Sequence, residues 1–294
     1  LLLNTLRKIP KLFSAAPVDT KVVKVGTPRA GFFDFHIHTS NDKYISPELE
    51  KDGIWESFET EIFSRLCRPG EFILDIGANI GWYTAIAARL IGPAGRVHAF
   101  EPDPANYALL RRNAASPPSK AKVRLFNFAI GDKRQASTLF LSPVNRGDHN
   151  LFASRESRQS VTIEVRALDD LLLGCKHLPT LLKSDTQGSE ARVLRGARRL
   201  LGEGWRPNMI LEFWPYGLHG SGDDAGALWR QLDDLGYATF KLLETEPRLT
   251  RLRQDDMAYW LGERILVENR GFINLLCLHQ SSDQFQVLAD LIDD

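Results

Sequence analysis

The chain has 294 residues, 43% of them apolar, enough for one α/β domain of about 230 residues plus terminal additions. Its 37 basic and 37 acidic residues cancel, which argues against a protein that tracks nucleic-acid phosphates. Cys67, Cys175 and Cys277 stand far apart without a C-x-x-C pair and read as reduced thiols among apolar neighbours, as in a cytoplasmic protein.

Residues 1–30 are locally basic, with Arg7, Lys8, Lys11, Lys21, Lys24 and Arg29 against Asp19 alone, and Pro10 and Pro17 interrupt any helix. No apolar run there approaches the ~20 residues of a membrane span, so the segment reads as a mobile arm without stable membrane insertion. The alternatives are a weak membrane-surface contact through Leu1–Leu6 and the neighbouring basic residues, a docking arm, or the remnant of a longer chain; the sequence does not begin with Met. Residues 31–70 lead into the core. Phe33, Phe35 and Ile37 alternate as in a strand, and Ser57–Leu66 has the pattern of a helix. His36 and His38 form an H-x-H that resembles the opening of a PHP-type metal hydrolase. The remaining histidines offer no supporting ligand pattern, so the two read as exposed residues of a surface strand, with no metal assigned.

Residues 72–103, FILDIGANIGWYTAIAARLIGPAGRVHAFEPD, read as strand, glycine turn, helix, strand and terminal acid. Gly77 and Gly81 let the backbone turn sharply, and Glu101, 24 positions beyond Gly77, is placed to accept hydrogen bonds from a ribose diol. The turn lacks the G-x-G-x-x-G of pyrophosphate binders and carries no P-loop lysine. Asp75 opens it instead, and a carboxylate there suits a cation rather than a phosphate. The sulfonium and ammonium of S-adenosylmethionine fit, with Asp75, Gly77, Asn79 and Gly81 on the methionine side and Glu101 on the ribose. Asp103 and Pro104 then cap a new helix. Further strands are expected at Val123–Phe128, Leu181–Ser184, Met209–Phe213, 237–243 and Ile273–Leu278, with a helix over 223–235. The connection 133–170 is long enough to hold an inserted antiparallel pair, Thr138–Leu141 with Val161–Val165, around a polar tip that could cover the substrate.

The ordered segments DIGANIGWYT, AFEPDP, NFAIGD, LLKSDTQGSEARVLRGA and MILEF resemble those of the FkbM family of S-adenosylmethionine-dependent methyltransferases, over roughly Asp42 to Leu278. Two positions depart from the family pattern: Gln187 stands where Glu is usual, and Ser184 replaces an aliphatic residue before Asp185. The resemblance implies a class I methyltransferase fold, a doubly wound, mostly parallel, Rossmann-like sheet of seven strands, with an N-terminal extension and an inserted hairpin, the domain itself covering 71–294. It also implies O-methylation of a hydroxyl on a sugar, polysaccharide or polyketide-like molecule.

Acids fall at or just past the strand ends where such sheets bind ligands: Asp75, Glu101, Asp132, Asp185 and Glu212. Asp132 is expected beside the adenine. Asp185 is the first candidate for general base or metal ligand, with Lys183 on the same face of its strand; Glu212 is second and His149 third. A divalent metal assisting at that end is left open, as is the oligomeric state. The competing readings are a non-catalytic nucleoside-binding module, which would keep Asp75, Gly77 and Glu101, and a metal hydrolase built on His36 and His38.

Overall fold

The computed structural model describes residues 19–115, 121–153 and 158–293; most of the expected basic arm lies outside the described residues. Where the description begins, β1 (Thr20–Thr27) and β2 (Gly31–His38) form an antiparallel hairpin. This moves the boundary of the arm. Lys21 and Lys24 are exposed on opposite faces of β1, paired with Glu50 and Asp34, while Val25, Phe33, Phe35 and Ile37 are buried. The basic residues of 20–27 thus belong to an ion-paired strand of the hairpin rather than to the arm. His38 is a second correction. It is 4% exposed, because the end of β2 runs under the helix Pro104–Ala114, and its Nε2 meets Asn106 Oδ1 at 2.9 Å.

The central sheet begins with β3 (Phe72–Ile76), β4 (Arg96–Phe100) and β5 (Lys122–Phe126), all parallel. Asn127 then donates its amide to the carbonyls of Glu101 and Pro102, turning the chain off the sheet two residues earlier than expected. β6 (Ala129–Ile130), β7 (Gln135–Leu141) and β8 (Gln159–Arg166) make a separate three-stranded sheet in the order β6-β8-β7. Its antiparallel β7–β8 pair is the expected inserted hairpin, held by Ala129, Leu139, Ile163 and Val165. The main sheet resumes with β9 (Leu181–Ser184), β10 (Asn208–Phe213), β11 (Tyr237–Leu243), β12 (Glu246–Leu252), β13 (Ile273–His279) and β14 (Ile292–Asp293).

The resulting order is β14-β12-β11-β13-β10-β9-β3-β4-β5. Seven of these strands are the expected ones, with β13 antiparallel to both neighbours. β12 and β14 extend one edge to nine. β12 escaped notice because its sequence, EPRLTRL, buries only Leu249 and Leu252 and so lacks the period of two that marks a half-buried strand. Alternate residues of the central strands feed two cores. Ile73, Val97, Leu181 and Ile210 pack with the hairpin and the helices Ser57–Leu66 and Trp82–Leu90, while Leu74, Leu182, Met209 and Leu211 pack with Leu194, Leu200 and Leu232 on the other face. Cys67 and Cys277 are buried free thiols; Cys175, also free, is exposed, contrary to the sequence reading. Among the described residues no helix is long and apolar enough to cross a membrane.

Candidate active site

The chain leaves β3 toward β4 and β5 on one side and later returns to place β9 and β10 on the other, so strand order reverses between β3 and β9. Splayed connections at such a point leave a crevice beyond the carboxyl ends of the strands. A cleft of about 510 Å³ lies there. Its waist is set by Gly77, whose φ of 78° is left-handed; a Cβ at this position would meet the Asp185 carbonyl oxygen at 1.8 Å. The ends of β3 and β9 can approach this closely only with glycine.

On one side of the waist, Glu101 accepts hydrogen bonds from the backbone N–H groups of Asn79 and Asp103, both at 2.8 Å. Burial, and after it the Asp103 charge, push the Glu101 carboxyl up to about 8. Asp103 caps the next helix, its Oδ2 accepting from Asn106 N at 3.0 Å. Pro102, Ile130 and Leu139 supply flat apolar lining. The tip of the insertion covers this side: Arg146 O accepts from Asn106 Nδ2 at 3.0 Å, and Gly147 lies over Asn79 and Ile45. His149 lines the same wall, with Nδ1 accepting from Ser142 N at 3.0 Å and Nε2 3.8 Å from Asp103 Oδ2. His149 and the tip thus stand on the Glu101 and Asn79 side of the cleft.

Three expected ligands of the cofactor lie elsewhere. Asp75 is 2% exposed behind the lining, accepting from Thr84 Oγ1 at 2.5 Å, and burial pushes it up to about 6; it ties the turn to the helix Trp82–Leu90. Gly81 seats that helix against Leu110, whose Cδ1 would be 2.7 Å from a Cβ there. Asp132 is outside the cleft lining, and its charge acts on Arg195. Gly77, Asn79 and Glu101 do line the cleft.

Across the waist, Lys183 is buried with its Nζ 3.0 Å from Glu59 Oε1 and 3.5 Å from Asp185 Oδ2, above the Tyr83 ring at 4.4 Å. Burial pulls the ammonium down, but Glu59, Asp185 and Glu56 outweigh it and hold the group above its usual range. The Gln187 amide donates to Asp185 Oδ1 at 2.9 Å and to Glu212 Oε1 at 2.8 Å, bridging two acids. A glutamate at 187 would put a third carboxylate there, so the departure from the family pattern is a compensated one. Burial, followed by the Asp185 and Glu190 charges, pushes the Glu212 carboxyl well above the usual range. Glu56 accepts from Tyr83 Oη at 2.8 Å and is likewise pushed up, chiefly by burial and then by Glu59. Sequence reasoning missed Glu56, the N-cap of the helix Ser57–Leu66, and Glu59 in its first turn, because acids at a helix N-terminus read as ordinary dipole partners. Trp55, Trp214 and Phe272 wall this side. Among the described residues no group of three or more His, Cys, Asp or Glu is arranged to hold a metal ion.

A family model described as "Methyltransferase FkbM domain" matches residues 75–238, which contain both halves of this site apart from Ile45, Trp55, Glu56, Glu59 and the wall near Phe272. The chain belongs to the FkbM methyltransferase family. S-adenosylmethionine is the methyl donor of the family. Relatives include "Methyltransferase 1" of Beauveria bassiana, 29% identical over 145 residues, 42% of this chain and 57% of the relative. "31-O-demethyl-FK506 methyltransferase FkbM" of Streptomyces tacrolimicus is 35% identical over 79 residues, 27% and 28% of the two chains. The chain thus spans little more than half of one of these relatives and under a third of the other. Solved structures with a similar fold include Aeropyrum pernix fibrillarin with S-adenosyl-L-methionine, 12% identical, TM-score 0.41, covering 76% of each chain. Another is precorrin-6y C5,15-methyltransferase of Geobacter metallireducens, 13% identical, TM-score 0.40, covering 76% of this chain and 88% of that one.

The cleft fits the family's donor on its own terms. Asn79 Oδ1 and His149 Nε2 are buried without a hydrogen-bond partner among the described residues, and both residues line the cleft. Buried orphans of this kind mark places where a ligand completes the hydrogen bonding.

Proposed function

We propose that the protein is an S-adenosylmethionine-dependent O-methyltransferase acting on a hydroxyl of a sugar, polysaccharide or polyketide-like molecule. The observation that carries this reading is the division of one cleft into a nucleoside side, marked by Glu101 and the Gly77–Asn79 turn, and an acid-rich acceptor side, marked by Asp185, Glu212 and Lys183. When bound, S-adenosylmethionine supplies a methyl group already activated by a sulfonium. Glu101 accepts from the ribose hydroxyls with the lone pairs left over from Asn79 and Asp103, and the backbone at Gly77 lets the donor approach the waist. The chain must then align the acceptor and take its proton, and alignment in a dry site is worth on the order of 7 to 11 kcal/mol in favourable cases.

Asp185 is the proposed general base. It stands at the waist beside Gly77, and its two oxygens are oriented by Gln187 and Lys183. The proton it takes from the acceptor oxygen can leave toward solvent, since the side chain is 33% exposed. A second reading gives the base role to Glu212, because its Oε2 is buried and lacks a donor among the described residues. Asp185→Asn preserves shape and should bind S-adenosylhomocysteine as the parent does while turnover of a hydroxylated acceptor falls roughly 10²-fold or more. The acceptor is first found by screening sugars and polyketide alcohols for S-adenosylhomocysteine release. Parental turnover in Asp185→Asn with a dead Glu212→Gln would transfer the role to Glu212.

A further inference from the structure

The insertion loop brings a histidine to the cofactor side of the cleft in a fixed protonation form. The side chain of His149 is 6% exposed. Its Nδ1 accepts the backbone N–H of Ser142 at 3.0 Å, so that nitrogen carries a lone pair and no proton. Charging the ring would place a second hydrogen against that N–H, and burial already pulls the imidazole down to about 4, with Arg146, Arg158 and His38 adding to the effect and Asp103 opposing it. The ring is therefore neutral near pH 7 with its one proton on Nε2. That N–H is a buried donor with no hydrogen-bond partner among the described residues: Asp103 Oδ2, at 3.8 Å, is too distant, and Asp103 already caps the helix at Asn106. A donor desolvated in this way costs stability unless a ligand supplies the acceptor.

We propose that His149 is a cofactor-specificity residue whose Nε2–H donates to an acceptor atom of the adenosyl group, rather than a catalytic residue at the methyl acceptor. The inference rests on the S-adenosylmethionine reading above. His149 shares its wall with Asn106, Arg146 and Gly147, the last lying over Asn79, and the acids that would handle the acceptor proton lie across the waist. The inserted β7–β8 hairpin thereby acts as a reader of the nucleoside as well as a cover for it.

The test is calorimetric titration of the full chain with S-adenosylhomocysteine and with methylthioadenosine, which keeps the nucleoside and lacks the amino-acid end. His149→Asn retains an acceptor where Nδ1 stood, so the Ser142 contact survives, and removes the Nε2–H. Its affinity for both ligands should fall by the same factor, about 5- to 20-fold, without a lower melting temperature of the ligand-free protein, since the unsatisfied donor is gone. Parental affinity for both, or a loss confined to S-adenosylhomocysteine, overturns the assignment; failure of the parent to bind either ligand overturns the donor reading along with it. Nitrogen-15 spectra of the parent imidazole give a readout that needs no variant. An Nε2–H tautomer whose signal shifts on adding methylthioadenosine supports the assignment, and an Nδ1–H or doubly protonated ring at pH 7 contradicts it.

Discussion

At the scale of single residues, the least ordinary group is Glu101, an acid held by two backbone N–H groups and still pushed up to about 8. Its folded value lies above the ordinary 4.5, so the ligand-free protein carries an extra proton between about 4.5 and 8 relative to the unfolded chain. That proton-linked stability is fully present below about 4.5 and is lost as pH rises through 8. A ribose diol donates two hydrogen bonds to the ionised form and so favours it. Binding of S-adenosylhomocysteine at pH 7 should therefore release up to one proton, seen as a dependence of the calorimetric heat on buffer ionisation enthalpy. Affinity should tighten from pH 6 to 8 and level off above. Proton uptake, or affinity that weakens over that range, contradicts the assignment. Glu101 was legible in the sequence because an acid at the end of a strand after a glycine turn has few structural uses. Asp75 was legible as a singular acid, but the sequence does not reveal that Thr84 in the first turn of the next helix donates to its carboxylate, which lies behind the cleft lining.

At the scale of elements, Lys183 pins β9 to the helix Ser57–Leu66 through Glu59, which also accepts from Asn274 of β13. Three segments far apart in sequence thus share one buried charge pair. Removing one partner of such a pair costs about 3 to 5 kcal/mol, because the other charge stays buried. Lys183→Met should accordingly lower unfolding stability by that order in urea, and Lys183→Met with Glu59→Gln should recover part of it. A single variant as stable as the parent would show that the pair contributes nothing. The Lys183–Asp185 pairing could be anticipated from strand alternation, but Glu59 could not, since no local pattern reports which helix lands on which strand. The same limit explains the insertion. Its two strands were legible from alternation, whereas the side of the cleft its tip covers depends on the long-range contacts of Arg146 and Gly147 with Asn106, Asn79 and Ile45.

At the scale of the whole molecule, the seven strands of a mostly parallel sheet were legible because each βα unit carries its own apolar runs and turns, but the placing of β13 between β10 and β11, antiparallel to both, was not, since no local pattern reports which strands pair. Nor were the extra edge strands β12 and β14, since edge strands bury little and need no alternation. The central claim is that one cleft at the β3–β9 reversal holds the methyl donor and the acceptor on opposite sides of Gly77. A crystal structure with S-adenosylhomocysteine tests this most directly. The account predicts the ribose hydroxyls on Glu101, the base against Ile130 with His149 beside the nucleoside, and the sulfur facing Asp185. A ligand seated with its sulfur away from Asp185, or bound outside this cleft, would contradict it.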